Sequence, residues 1–119
     1  MTNPKAIFAQ FLEALCAKDL KAASALLHDD FEFSSPVVQT RGKADFVEKM
    51  APLLPIVAGH RMLAQLGEGQ SVASLYEFMI ETPKGKAAIV MSEWVELKDN
   101  RLWKSRLIFN APDVTNLLG

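Results

Sequence analysis

The segment SVASLYEFMIETPKGKAAIVMSEWVELKDNRLWKSRLIF, residues 71–109, predicts three long β-strands in succession. Its strand-like runs are rich in β-branched and bulky residues, and the turn sequences PKGK (83–86) and KDN (98–100) separate them. Loops as short as these join neighbouring antiparallel strands. The segment therefore predicts an antiparallel meander, and this meander decides the class of the fold.

Towards the N-terminus, the sequence predicts one more long strand and one short strand. The long strand is IVAGHRMLAQL (56–66), and the turn GEGQ (67–70) joins it to the meander. The short strand is DDFEF (29–33), which Pro36 prevents from continuing. The expected sheet thus has about four long strands and a short one.

Three helices are predicted in the remaining sequence. The first begins near Pro4, which suits the first turn of a helix. The second is LKAASALLH (20–28), which places His28 in a structural role at a helix end, where a cation suits the helix dipole. The third is KADFVEKMA (43–51), and two prolines shortly after it end the helix because proline removes a helical hydrogen bond. Helices followed by a meander predict a single α+β domain over residues 1–119.

Composition and charge narrow the classes of partner. The net charge is −1, so electrostatics give no reason to expect a nucleic acid or an anionic membrane as partner. The one cysteine, Cys16, excludes an internal disulfide, and no apolar run approaches the ~20 residues that span a bilayer. Because the N-terminal sequence also lacks the features of a signal peptide, we expect a cytoplasmic location.

No sequence motif indicates a cofactor or a metal. The chain contains no P-loop, no complete glycine-rich dinucleotide motif and no cluster of histidine and cysteine. Asp29 and Asp30 are neighbouring carboxylates, but a metal site needs several convergent ligands, and a solvated corner is the simpler interpretation. We therefore expect neither a cofactor nor a metal.

The alternation of the strand that contains Glu93 indicates which side chains face the helices. A long antiparallel sheet with helices on one side should curve around them and enclose a core, often with a pocket. Glu93 shares its parity with Met91 and Val95, which places it on the concave face, whereas Val90 and Trp94 fall on the convex face. An exposed apolar sheet face usually meets a partner. We therefore expect a homodimer through the convex face.

Three segments resemble one protein superfamily. They are DDFEFSSP (29–36), RGKADF (41–46) and LKDNRLWKSRLIFN (97–110). Their sequences and their order along the chain resemble those of the nuclear transport factor 2-like superfamily, in its SnoaL-like and ketosteroid-isomerase-like branch. The resemblance implies one SnoaL-like domain with a cone-shaped fold, in which a curved antiparallel sheet wraps around three N-terminal helices and a deep apolar pocket. Because the superfamily includes isomerases, cyclases, epoxide hydrolases, dehydratases and non-catalytic binding proteins, the resemblance leaves the activity open.

The family's catalytic positions carry over to this chain only in part. Ketosteroid isomerases resemble the chain at Ser35, but they have an aspartate base there, and a serine hydroxyl cannot act as a base near neutral pH. Their helical tyrosine falls on Phe11, and their third functional acid falls on Glu93. In SnoaL-like cyclases an acid follows the last aromatic residue, where this chain has Asn110. The resemblance therefore argues against the best-known isomerase and cyclase chemistry.

Three side chains are candidates for chemistry, each with a structural alternative. Glu93 is the candidate catalytic acid or base, because a buried carboxyl has a raised pKa; alternatively, it is solvated near a strand end. Tyr76 is either a hydrogen-bond donor in the pocket or an aromatic core residue. His60 is either a general base or ligand contact, or a partly exposed histidine at a strand end.

The expected partner is a small apolar ligand. The predicted pocket is lined by Phe11, Leu15, Ser35, Phe46, Met50, His60, Tyr76, Met91, Glu93, Ser105, Leu107, Phe109 and Asn110. Three functions remain open. The pocket binds a small hydrophobic molecule; or the protein is a cofactor-independent isomerase, cyclase or hydrolase that uses Glu93; or it is a dimeric structural or interaction module without an open pocket.

Overall fold

The computed structural model describes residues 3–118 and has an α+β fold built on one six-stranded sheet. Its elements in chain order are α1 (Pro4–Cys16), α2 (Leu20–Ala25), β1 (Leu27–Ser34), β2 (Gln39–Arg41), α3 (Lys43–Met50), a 3₁₀ helix (Ala51–Ile56), β3 (Val57–Glu68), β4 (Ser71–Thr82), β5 (Gly85–Lys98), β6 (Arg101–Ile108) and α4 (Ala111–Leu118). None of the helices in this part of the chain is long and apolar enough to cross a membrane.

The strands lie in the order β2-β1-β6-β5-β4-β3. Consecutive strands from β3 to β6 pair antiparallel, as the sequence predicted, and β1 pairs antiparallel with β2 and parallel with β6. The sheet is curved and does not close. The predicted α+β fold with a curved sheet is therefore confirmed, with one parallel pair in an otherwise antiparallel sheet.

The predicted long strands agree with the observed ones to within two residues at each end. The prediction for the second helix was wrong at its C-terminus. Helix α2 ends at Ala25, and His28 belongs to β1 instead of a helix end. The reason is tertiary: Leu27 is fully buried and pairs with Leu102 of β6, whose backbone N–H donates to the Leu26 carbonyl at 2.9 Å.

Helix α1 supplies the side chains that the inner face of the sheet packs against. Asn3 caps it, because its side-chain oxygen accepts hydrogen bonds from the backbone N–H groups of Lys5 and Ala6. One stripe of α1 is buried, consisting of Ile7, Phe8, Phe11, Leu12 and Leu15. This spacing puts all five on one face, so burial of that stripe removes a large apolar area from water.

The segment after α3 closes one side of the core. Gly42 precedes α3 with φ of 86°, a backbone conformation that favours glycine. Helix α3 ends at Met50, and a proline-containing 3₁₀ helix follows, because proline is tolerated in a first turn but cannot extend an α-helix. Lys18 holds this segment in place: its ammonium donates to the carbonyls of Leu54, Pro55 and Val57 at 2.9–3.0 Å.

The outer face of the sheet, opposite the helices, leaves large apolar side chains uncovered. Trp94 is 49% exposed and Val90 is 55% exposed, which confirms the predicted parity of β5. Leu66 and Ile108 are also exposed on β3 and β6. The sheet therefore has one buried and one largely solvent-facing side, as antiparallel sheets often do.

Candidate functional site

A cavity of about 310 Å³ lies between the helices and the inner face of the sheet. Its volume is at the lower end of the range, about 300–1,000 Å³, that is usual for small-molecule pockets. The walls come from α1, α3, the 3₁₀ helix, α4 and all six strands or the loops that follow them. Most of the lining is apolar, and its polar or charged side chains are Ser35, Thr40, Lys49, Tyr76 and Glu93.

Glu93 is the acidic side chain of this cavity. It lies in the middle of β5, opposite Ser74 on β4 and Leu107 on β6, and its exposed fraction is 4%. The Tyr76 hydroxyl donates a hydrogen bond to Oε1 at 2.6 Å, and the Ser105 hydroxyl donates to Oε2. Three neighbouring strands thus fix the position of one carboxyl group at the cavity wall.

The buried setting changes the acidity of both Glu93 and Tyr76. Burial raises the pKa of the Glu93 carboxyl, and the hydrogen bonds from Ser105 and Tyr76 oppose that rise without cancelling it. Burial also raises the pKa of Tyr76 well above its ordinary value, and the neighbouring Glu93 charge raises it further. Tyr76 is therefore a hydrogen-bond donor near neutral pH, and Glu93 is a carboxyl group that can hold or release a proton.

No basic group neutralises Glu93. Among residues 3–118, no lysine, arginine or histidine nitrogen lies within 4.0 Å of its carboxyl oxygens. Lys49, the basic residue of the cavity lining, directs its ammonium to the Gln39 carbonyl at 3.1 Å and to the Asp45 carboxylate at 3.4 Å. Within the part of the chain that the structure describes, the carboxyl group is held by two hydroxyls.

Aromatic rings form much of the remaining wall. Phe46 packs edge-on against Phe33 with their centroids 5.2 Å apart, and Phe11 lies 6.1 Å from Phe46. Phe78 packs edge-on against Tyr76 at 6.4 Å. These spacings are typical of favourable aromatic pairs. The cavity is therefore bounded by rings on the side of the helices and on the side of the sheet.

Most of the residues predicted to line a pocket lie together on the wall of this cavity. They are Phe11, Leu15, Ser35, Phe46, Met50, Tyr76, Met91, Glu93, Leu107 and Phe109. Ser105 is not part of the wall: it is buried beside Glu93 and holds that carboxyl group.

Two predicted pocket residues lie elsewhere. His60 faces the end of α1, where its Nδ1 is 3.2 Å from the Cys16 sulfur. Asn110 is exposed because β6 ends at Ile108 and the Asn110 side chain donates to Asp113 at the start of α4. Neither residue contributes to the cavity wall.

The structure also adds residues that the sequence did not indicate. Thr40 is buried at the cavity wall, and its hydroxyl has no hydrogen-bond partner among the described residues. Val114 lines the cavity from α4, a helix that was not predicted. Phe33 could have been found, because the alternation of DDFEF puts it on the same face as Phe31, which is buried. The positions of Thr40 and Val114 could not be predicted, because they lie on a three-residue strand and on a C-terminal helix that no sequence pattern indicated.

Metal binding finds no support in the part of the chain that the structure describes. No group of three histidine, cysteine, aspartate or glutamate side chains converges there. Asp29 and Asp30 are exposed on β1, in agreement with a solvated corner.

Comparison with known proteins identifies the family. Residues 8–105 match the model of the family described as the SnoaL-like domain. Among curated proteins, none matches this chain by sequence. The sequence match covers most of the chain, from α1 into β6.

Solved structures share the fold at low sequence identity. An LEH-like epoxide hydrolase from M. tuberculosis has a TM-score of 0.83 and 19% identity, over 97% of this chain and 89% of that one. A protein described as a SnoaL-like polyketide cyclase, from Shewanella denitrificans, has a TM-score of 0.82 and 13% identity, over 97% and 96%. A protein described as a ketosteroid isomerase, from Kribbella flavida, has a TM-score of 0.75 and 16% identity, over 90% and 77%. At these identities the likeness concerns the fold alone.

Proposed function

Because the chain belongs to the SnoaL-like domain family, we propose that its cavity binds a small hydrophobic molecule and that Glu93 fixes the orientation of that molecule. The observation that carries this proposal is the pairing of an apolar cavity with a single buried carboxyl at its wall. Pockets of this kind obtain affinity from apolar contact and orientation from a few well-placed polar groups. Tyr76 and Ser105 hold the carboxyl in one position, so the polar contact is preorganised.

The test is native mass spectrometry of the purified protein, with two tryptophan variants of β6. Leu107→Trp adds a large ring on the cavity side, whereas Ile108→Trp adds the same ring at the next residue, which is exposed on the outer face. We expect wild type and Ile108→Trp to retain a bound small molecule and Leu107→Trp to lose it. Equal retention in both variants, with both folded by circular dichroism, would show that the molecule binds outside the cavity.

A second function, proton transfer by a cofactor-independent enzyme, has one observation in its favour. Glu93 lies at the cavity wall and burial raises its pKa, and a raised pKa brings a carboxyl closer to the pH at which it is suited to general acid or base catalysis. The reaction would be an isomerisation, cyclisation or hydrolysis, as in relatives of this fold.

For the enzymatic alternative we expect Glu93→Gln to abolish turnover of any substrate while the fold stays intact. The amide keeps the shape of the side chain but cannot act as a general acid or base near neutral pH. The measurement is kcat for wild type and variant on the same substrate. Unchanged kcat in a folded Glu93→Gln protein rules out Glu93 as the catalytic group.

A further inference from the structure

We propose that the ligand of the cavity carries a protonated amine on an apolar, preferably aromatic, body, and that Glu93 binds this cation. The inference rests on the function proposed above, because it assigns a chemical class to the ligand of the same cavity. It is carried by three features: a buried carboxyl without a counter-ion, a basic residue that is engaged elsewhere, and a wall of aromatic rings.

The Glu93 carboxyl has capacity left for a ligand. Each of its oxygens accepts one hydrogen bond, from Tyr76 and from Ser105 respectively. An ionised carboxylate oxygen can accept two, so one position on each oxygen remains. The two hydroxyls orient the carboxyl, but being neutral they do not compensate its charge. Buried charges in proteins are normally paired, because an unpaired one is costly.

The described part of the chain does not provide a cation for Glu93. The groups that donate hydrogen bonds to Glu93 are Tyr76 from β4 and Ser105 from β6. The Cys16 thiol at the end of α1 contributes to the raised pKa of Tyr76. From α3, Lys49 reaches the cavity wall, but its ammonium binds the Gln39 carbonyl and the carboxylate of its own helix. Within residues 3–118 no basic nitrogen lies within 4.0 Å of Glu93. The ligand is then the source of the cation.

The aromatic wall favours the same class of ligand. Phe11, Phe33, Phe46, Phe78 and Phe109 line the cavity together with the Tyr76 ring. The faces of aromatic rings attract ammonium groups, and this attraction is strongest where water is excluded. The same rings pack well against an aromatic ligand body. An anionic ligand would instead bring an unpaired negative charge into an apolar surrounding, which is costly, and an ionised Glu93 would repel it.

Binding of an amine cation has a definite proton balance. Burial raises the pKa of Glu93, so in the empty cavity the neutral carboxyl group persists to a higher pH than in free glutamate. The ammonium group binds the ionised form, so at pH values below the pKa of the empty site the carboxyl proton is released to solvent as the ion pair forms. Affinity for the amine therefore increases as pH rises through the titration range of Glu93, until the amine itself loses its proton.

The experiment uses the full-length protein and three probes that share a naphthalene body. They are 1-naphthylmethylamine, a cation near neutral pH; 1-naphthalenemethanol, which is neutral; and 1-naphthoate, an anion. Isothermal titration calorimetry in two buffers of different ionisation enthalpy measures both affinity and proton release. The variants are Glu93→Gln and the control Glu96→Gln, which removes the same charge three residues along β5, outside the cavity lining.

We expect wild type and Glu96→Gln to bind the amine at least about tenfold more tightly than the alcohol, and not to bind the naphthoate. As the pH is lowered into the titration range of Glu93, binding of the amine should begin to release a proton. In Glu93→Gln the amine and the alcohol should bind with similar affinity. The wild-type comparison and the proton release need no variant, so they decide the matter even if Glu93→Gln does not fold.

The two proposals fail in different ways. Wild-type protein that binds the alcohol as tightly as the amine, or that binds the naphthoate, overturns the amine assignment and leaves the cavity function standing. The amine assignment also falls if Glu93→Gln keeps the preference for the amine. If none of the three probes binds wild type, both the cavity function and the amine assignment are overturned.

Discussion

At the scale of single residues, Glu93 has a cost to stability, and in the proposed function it also binds the ligand. Its carboxyl is buried without a basic partner among residues 3–118, and the two hydroxyls that hold it oppose but do not cancel the effect of burial on its pKa. Residues kept in such settings are more often found at binding or catalytic sites than in ordinary cores. Stability and the proposed binding function therefore make opposite demands on this position.

This conflict predicts a specific dependence of stability on pH. The pKa of Glu93 is raised in the folded state, whereas the unfolded glutamate ionises near about 4.3. Above that pH the unfolded chain releases a proton that the folded protein retains, so the free energy of unfolding falls as pH rises. The slope for one such group is at most about 1.4 kcal/mol per pH unit, and the loss is complete above the folded pKa.

We expect Glu93→Gln to remove this dependence. The free energy of unfolding of wild type minus that of the variant should decrease as pH rises from acid to neutral, measured by urea titration at several pH values. Glu96→Gln, on the same strand and only partly buried, should show no comparable trend. A difference that instead increases with pH would mean that the folded protein stabilises the charged form of Glu93.

How much of the site could be predicted differs from residue to residue. The inward direction of Glu93 followed from strand alternation, because a strand buried on one face alternates with a period of two. Its bond to Ser105 could not be predicted, since the two residues meet only through the register of β5 on β6. His60 was placed in the pocket by parity alone, but the end of α1 covers that part of β3 and brings Cys16 against it.

At the scale of the elements, the turn between α1 and α2 has an unusual residue. Lys18 has φ of 60°, a conformation that normally favours glycine, and its N–H group and that of Asp19 bond back to Leu15 and Ala14 at the end of α1. A lysine there is strained by roughly 1 kcal/mol relative to glycine. In return, its ammonium makes three hydrogen bonds to the 3₁₀ helix and the start of β3.

We expect Lys18→Met to lower the free energy of unfolding by about 2 kcal/mol, because it loses the hydrogen bonds of the ammonium and keeps the backbone strain. Lys18→Gly should be about 1 kcal/mol less harmful, since it loses the same bonds but relieves the strain. Both are measured by denaturant unfolding, with Lys21→Met, an exposed position on α2, as control. Equal loss in the Met and Gly variants would mean that the strain at Lys18 is negligible.

The sequence was informative about elements with strong local patterns and weak where tertiary pairing decides. Strands β4 to β6 were predicted to within one residue, because bulky residues fill them and short turns bound them. The end of α2 was not predicted correctly, because Leu27 and His28, which continue the helical pattern in the sequence, belong to β1, which pairs with β6. Helix α4 was missed altogether, although its Val114 is buried against the core.

At the scale of the whole molecule, the outer face of the sheet carries an apolar band with charged ends. Leu66, Leu75, Val90, Trp94 and Ile108 form the band, with exposed fractions between 40% and 75%. At one end of the band, a row of alternating charges crosses the sheet, from Glu96 to Lys104, Glu32 and Arg41. At the other end of the band, Arg61 forms an ion pair with Glu77. An apolar centre with a polar rim is the anatomy of a protein–protein interface.

The same sequence of charges suits a second copy of this chain. In a two-fold symmetric dimer each surface patch contacts the same patch of the second copy, turned in the opposite direction. The apolar bands of the two copies then cover each other, and the acidic residues of each charged row can contact basic residues of the other row. We therefore expect a homodimer in which Trp94 lies at the centre of the contact, since large buried aromatic residues dominate such interfaces. The cavity lies on the other side of the sheet, so this contact does not cover the residues that line it.

Trp94→Glu is expected to convert the dimer into a folded monomer, because it places a charge at the centre of an apolar contact in each copy. Sedimentation velocity at micromolar concentration gives the mass, and Gln70→Glu, in the exposed turn between β3 and β4, makes the same change of charge away from the band. That control should remain dimeric. If wild type sediments as a monomer, or if Trp94→Glu stays a dimer, the outer face is not the interface, and its exposed side chains require another partner.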